Sequence, residues 1–264
     1  MKKIVMAIAG LVVGLGFFGP VMAEEITIVG TGDGVTVLEA IGAAFSQNNS
    51  GISVNVPKSI GSGGGIKAVG RDKNVIGRVA REIKDKEKPY GLSYVPFARI
   101  PAVFFVNRSV GIQNLSAQQI CGIYSGKITS WEEVGGKGAK IRVVRREDGD
   151  SSLKVLLKSF PRFKDITITK RSKTALSTAE NVTVVETKAA TIGFGPYDVA
   201  KNSNVDVLKI DGKSPTDSGY PSFGTMALIF KEKNKTGAIK KFVEFATSSA
   251  PHDVIKNAGG IPVR

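Results

Sequence analysis

Three stretches of this 264-residue chain set glycines and short polar side chains where a helix is about to begin: Gly30-Thr31-Gly32-Asp33-Gly34-Val35, Gly61-Ser62-Gly63-Gly64-Gly65-Ile66 and Arg146-Glu147-Asp148-Gly149-Asp150-Ser151-Ser152. The chemistry this pattern offers is anion capture. A helix N-terminus carries unpaired N–H groups and about half a positive charge, so it holds an anion without full cationic neutralisation. Each stretch alone is an ordinary strand-to-helix joint, but three converging would make a dry anion pocket. Arg146 adds a planar fork of donors, and Ser62, Ser151 and Ser152 add rotatable hydroxyls. Asp33 and Asp150 are unexpected in such company. A carboxylate beside an anion repels it, unless it accepts a hydrogen bond from a protonated ligand oxygen or from an arginine. Two readings stay open: one of the two carboxylates accepts the ligand's proton, or both point away and brace Arg81, Arg146 or the helix starts.

Other chemistries lack their residues. The dinucleotide fingerprint needs Gly or Ala at the sixth position, yet Val35 stands there counting from Gly30 and Ile66 counting from Gly61. No phosphate-cradling G-x-x-x-x-G-K-S/T occurs, nor H-E-x-x-H, nor G-x-S-x-G. With one cysteine, Cys121, and one histidine, His252, the chain cannot assemble a zinc cluster, a Cys/His nucleophile pair or an internal disulfide. Cys121 reads as a small buried hydrophobe on a helix, and His252 as a solvated residue at a helix start. No cofactor, no metal and no catalytic residue are expected.

The elements that must position these residues follow from pattern. Residues 1–23 hold Lys2 and Lys3, a 15-residue apolar run from Ile4 to Phe18, then Val21 and Ala23 at the spacing of a signal-peptidase site. The run is shorter than the roughly 20 residues of a bilayer span, so a cleaved signal peptide and an extracytoplasmic, periplasmic destination are expected. The remaining 241 residues keep a formal charge of +12, down from +14 with the two lysines gone. The lysines are scattered, few aromatics lie between them and no nucleic-acid module is present, so the charge reads as a general bias toward anions. From Ile26 onward strands alternate with helices, which argues for an α/β fold with parallel sheets covered by helices. Expected strands include Ile26–Val29, Ile52–Val56, Ile141–Val144, Thr191–Phe194, Val205–Ile210 and Phe223–Phe230. Expected helices include Val35–Phe45 and a last one over Gly237–Ser248, with Ile239, Phe242, Val243 and Phe245 inward. Ser116 with Gln119, and Ser130 with Glu133, are capping boxes, and Gly126 ends the helix between them.

At these loops the chain resembles the phosphate-binding proteins of bacterial ABC importers, over essentially all of the sequence after residue 23. Gly61–Lys67 looks like that family's glycine-serine loop, and Leu115 to Trp131 closely matches its helix-turn-Trp signature. Gly77–Arg81, Arg146–Ser152, Tyr220-Pro221 and Gly260–Val263 fall in the expected order. The resemblance implies a two-lobe periplasmic binding protein (type II), with a ligand cleft between lobes and two crossover strands near Pro101–Val106 and Pro221–Met226. Residues 24–100 plus 223–264 would form lobe 1 and residues 101–222 lobe 2. Implied ligand-binding residues are Asp33, Gly34, Val35, Ser62, Gly63 and Arg81 from the first, and Arg146, Asp150, Ser151 and Ser152 from the second. Implied partners are inorganic phosphate and the membrane permease of an ABC importer, with the protein a monomer.

The sequence departs from the family pattern at three places. Gly34 stands where the family has a hydroxyl residue, Ala80 where it has Ser or Asp, and Asp150-Ser151-Ser152 where it has Ser-Gly-Thr. These departures leave open another oxyanion, such as arsenate, molybdate or sulfate, or a periplasmic sensor or adhesion component built on the same fold.

Overall fold

The computed structural model describes residues 24–217 and 219–263, so the segment read as a signal peptide lies outside the described residues. The first half runs β1 (Glu24–Gly30), α1 (Val35–Asn48), β2 (Ile52–Asn55), α2 (Gly61–Gly70), β3 (Ile76–Val79), β4 (Ser93–Val106), β5 (Asn114–Leu115) and α3 (Ala117–Ser125). The second runs β6 (Arg142–Arg146), α4 (Ser151–Ser159), β7 (Lys173–Ala175), α5 (Thr178–Thr187), β8 (Thr191–Pro196), α6 (Tyr197–Ala200), β9 (Asp206–Val207), β10 (Lys209–Ile210), β11 (Phe223–Phe230), α7 (Gly237–Ala246), α8 (His252–Asn257) and β12 (Ile261–Pro262). The expected α/β fold is present, as one continuous curled sheet ordered β2-β1-β3-β11-β4-β8-β6-β7.

Two bodies share that sheet. In the first, β1 pairs in parallel with β2 and β3, and β11 closes antiparallel on β3. Both faces are covered. Ile28, Val37, Leu38, Ile41, Phe45 and Phe242 fill one side, and Ile66, Val69, Val79 and Ile229 the other. In the second, β6 pairs in parallel with β7 and β8. Its core runs from Ala102 to Tyr220 around a nest of rings in which Phe104 lies 5.0 Å from Phe160 and 5.4 Å from Tyr124. Trp131 is wholly buried there and donates Nε1–H to the Ala190 carbonyl at 3.0 Å.

The strand β4 passes from one body to the other. It pairs with β11 up to Pro101↔Phe223, then with β8 from Ala102↔Pro196 onward. Among the described residues β4 and β11 are the longest strands, 14 and 8 residues, and every residue of β11 from Met226 to Phe230 is buried.

Local corrections to the sequence reading have physical causes. The glycine-serine stretch is no loop: α2 begins at Gly61 itself. Glycine costs about 1 kcal/mol per helical position, but a Cβ on Gly65 would come within 2.9 Å of the Gly30 Cα, so close packing of helix on strand overrides propensity. The helix from Gly237 stops at Ala246, and a further helix, α8, follows it. Phe245 is half-buried, set against Phe45 at 5.6 Å. The segment expected as one strand over Val205–Ile210 is split into β9 and β10, which pair with different neighbours. Both capping boxes are formed, although the second opens only a single 3₁₀ turn, Trp131–Val134.

Candidate functional site

A cavity of about 200 Å³ opens where the two bodies face each other, lined by Thr31, Gly32, Asp33, Ser59 and Ser62 from one and by Arg146, Asp150, Ser151 and Thr178 from the other. The wall of the first body consists of the β1–α1 turn and the first turn of α2. The turn is forced into its shape. Gly34 has φ 68, and a Cβ there would meet the Met226 side chain at 2.9 Å, so no larger residue fits. Beneath it Arg78, wholly buried, donates to the carbonyls of Ile28, Thr31 and Pro57, tying both cavity loops to one guanidinium. Burial lowers Arg78 to about 10, which leaves it charged at neutral pH.

The wall of the second body comes from β6, the start of α4 and the start of α5. Asp150 is the cap of α4: its Oδ1 accepts from Leu153 N at 2.8 Å and its Oδ2 meets Arg146 Nη1 at 3.0 Å. That carboxylate is fully engaged in bracing. Burial still pushes its carboxyl above the usual range, with Arg146 pulling the other way. Arg146 is nearly saturated. Nε and Nη2 donate to Glu147 at 3.0 and 3.1 Å, Nη1 to Thr178 Oγ1 at 2.9 Å, and Nε also reaches the Ala175 carbonyl at 3.2 Å. Of five N–H groups, one on Nη2 stays free; further donors come only if the half-exposed Glu147 moves away.

Asp33 occupies the middle. It is 5% exposed, and Ser152 donates its hydroxyl to Oδ2 at 3.2 Å. Burial, followed by the negative charge of Asp150, holds the Asp33 carboxyl well above the usual carboxylate range, with Arg146 opposing. Of the two carboxylates that the sequence left open, Asp150 braces Arg146 and the start of α4, while Asp33 lines the cavity and accepts from Ser152. Ser62 Oγ meets Ser151 Oγ at 3.1 Å across the bodies and accepts from Ala80 N at 3.2 Å.

The structure thus brings together Asp33, Ser62, Arg146, Asp150 and Ser151 around one cavity, with Ser152 behind Asp33. Gly34 and Val35 lie at the start of α1, and Gly63 in the first turn of α2; their side positions do not line it. Arg81 is elsewhere: its fork is closed on Glu87 by two 2.7 Å hydrogen bonds, over a neighbouring depression lined also by Lys154 and Lys158. Sequence reasoning missed Thr178 and Arg78. The first had a readable signal, since Ser177 precedes α5 with Glu180 three residues on and caps it; the second had none.

The comparisons with known proteins agree with the fold. A family model described as the PBP superfamily domain matches residues 20–250. The chain is 23% identical to the phosphate-binding protein PstS of Borreliella burgdorferi over 287 residues, covering all of both chains. It is 26% identical to PstS of Bacillus subtilis, covering 90% of this chain and 81% of that one. Among solved structures it is similar to a protein from Clostridium perfringens assigned as a phosphate ABC transporter substrate-binding protein, with bound phosphate. The identity there is 27%, the TM-score 0.80, and the cover 91% of this chain and 100% of that one. A phosphate transport receptor from Vibrio cholerae, 23% identical with a TM-score of 0.64 over 91% of this chain and 100% of that one, shares the fold. A match that runs through both bodies and both connecting strands leaves one assignment: the chain belongs to the PBP superfamily.

Proposed function

We propose that this protein is an extracytoplasmic solute-binding protein that captures inorganic phosphate between its two bodies and delivers it to the permease of an ABC importer. The observation that carries the reading is the meeting, in one cavity, of the Arg146 guanidinium, the Ser62 and Ser151 hydroxyls and the N-termini of α2 and α4. The phosphate-binding relatives and the phosphate-bound neighbour support it. So does the leader-like pattern of residues 1–23, which directs the chain to the periplasm. The protein acts as a monomer with residues 24–100 and 223–264 in one lobe and 101–222 in the other.

Ligand contacts come from Asp33, Ser62, Arg146, Ser151 and Thr178, with backbone donors of the two helix starts. Each charge-assisted hydrogen bond contributes on the order of 1.5–3 kcal/mol; a handful, after ordering costs, suffices for the roughly −8 kcal/mol of micromolar affinity. The activity is capture without turnover, in keeping with relatives named as phosphate-binding proteins. Thermal melting with a panel of anions tests the reading, because a ligand held only by the folded state raises the melting temperature. Phosphate is expected to raise it at micromolar to millimolar concentration; a rise with none of phosphate, arsenate, sulfate or molybdate would contradict the reading.

A further inference from the structure

Asp198 stands second in α6 and is wholly buried. Its Oδ2 accepts from the backbone N–H of Thr36 at 3.1 Å, while Oδ1 has no hydrogen-bond partner among the described residues. Thr36 is the second residue of α1. That helix begins without a side-chain cap of its own, because Gly34 precedes it in a left-handed conformation. A helix start normally borrows an oxygen from the residue just before it to close one of its free N–H groups. Here the oxygen comes from 162 residues away and from the other body. Ala200 of α6 belongs to the core with Phe104, whereas Val37 and Leu38 of α1 belong to the core with Phe45.

We infer that Asp198 is a positioning residue of the anion site: reaching across from the opposite body, it closes the N-terminus of α1 and so fixes the turn that presents Asp33 to the ligand. The inference rests on reading the cavity as an oxyanion site. Met226 beneath Gly34 and Arg78 on the Thr31 carbonyl hold the same turn from its own side; Asp198 on Thr36 and Ser152 on Asp33 hold it from the other body.

The brace carries an electrical consequence. Burial raises the Asp198 carboxyl to about 7, against the Thr36 and Gly34 amides, which favour its ionised form. When ionised it also raises Asp33, adding to burial and Asp150. Among the described residues the other buried carboxylates are Asp33 itself and Asp150. On α1 the charged residue is the exposed Glu39, on β4 the exposed Arg99 with Tyr94, and β8 has none. Lys201, just past α6, is occupied by the Asn257 carbonyl at 2.7 Å, and α8 contributes His252, Asp253 and Lys256, the last two exposed and joined to each other at 3.2 Å. Deprotonation of Asp198 near neutral pH therefore places a new negative charge behind the ligand's turn, and a bound anion is weakened by it.

The test is phosphate affinity by calorimetry from pH 5.5 to 8.5 in the wild type, Asp198→Asn and Asp198→Ala. Asparagine keeps an acceptor for Thr36 but cannot ionise. Its affinity is expected to pull ahead of the wild type by on the order of threefold to tenfold between pH 6 and 8. Phosphate's own ionisation is common to both proteins and cancels. Alanine is expected to weaken binding severalfold at every pH. Superimposable profiles for wild type and Asp198→Asn, with Asp198→Ala unchanged, overturn the inference while leaving the phosphate reading intact. A wild type that binds no phosphate at any pH overturns that reading and the inference with it. Should the variants fail to fold, the carboxyl carbon resonances of Asp33 and Asp198 in the wild type decide: titrations that move together support the assignment, and two independent single-step titrations overturn it.

Discussion

Ser62 and Ser151 stand 89 residues apart in the chain, yet their hydroxyl oxygens meet at 3.1 Å across the two bodies. Each belongs to the first turn of a helix, α2 and α4, whose free N–H groups face the same space. A hydroxyl pair can turn its protons toward a shared anion, so Ser62→Ala and Ser151→Ala are each expected to weaken phosphate binding by about 1 kcal/mol, roughly fivefold. In a double-mutant cycle the two losses should be non-additive, because the pair acts as a unit.

Arg146 is held by two carboxylates and one hydroxyl, so removing it does more than delete a ligand contact. Arg146→Met leaves the buried Asp150 without its counter-ion, and a loss of about 3 kcal/mol in unfolding free energy by denaturant titration is expected. Arg146→Lys restores the charge but not the fork, and should recover stability in part.

Glu147 occupies two of the guanidinium's donors at 3.0 and 3.1 Å while its side chain remains 35% exposed. An incoming anion competes with it for the same N–H groups. Glu147→Gln is accordingly expected to raise phosphate affinity by about fivefold to tenfold, with a steeper dependence on salt, measured by calorimetry at two ionic strengths.

Asp33 sets how binding responds to pH. Its carboxyl, raised by burial, gives one proton to be shared with the ligand. Phosphate can bring a proton of its own, whereas sulfate depends on the one held by Asp33. Selectivity for phosphate over sulfate should therefore widen as pH rises, and Asp33→Asn, unable to ionise, should leave only the pH dependence that comes from phosphate's own ionisation. Competition binding at several pH values measures this directly.

The same two carboxylates shape stability. Asp33 and Asp198 have folded values raised above their unfolded ones. Their contribution is therefore fully present below about pH 4 and is lost as pH rises toward the folded values. For Asp198 that window closes near pH 7, with a slope of at most about 1.4 kcal/mol per pH unit. Asp198→Asn should flatten the stability profile between pH 4 and 7, as read by urea unfolding.

What the sequence made legible was local. Ser116 with Gln119, the left-handed Gly126 after α3, and Phe223–Phe230 could be placed because their signals lie within a few residues of the structure they cause. The donors of the site were legible in the same way, since Ser62 and Ser151 mark helix starts and Arg146 ends the strand that leads into one. What stayed hidden acts over long separations. Arg78 reaches back to Pro57, Thr31 and Ile28, and Asp198 caps a helix 162 residues upstream. Arg81 looked like a ligand group by type and position, but six residues later Glu87 offered it a bidentate partner, and backbone geometry chose the ion pair. Asp150 and Asp33 were indistinguishable as residue types; only the register of α4, which puts Asp150 on Leu153 N, separates the bracing carboxylate from the one that faces the cavity with Ser152.

The most direct check is a calorimetric titration of phosphate into the wild type and into Arg146→Met, with folding of the variant verified by circular dichroism. Saturable binding at micromolar concentration in the wild type, weakened by about 100-fold or more in the variant, is the expected result. Equal binding in the two proteins, or no heat in the wild type at millimolar phosphate, would contradict the assignment of this cavity as the oxyanion site.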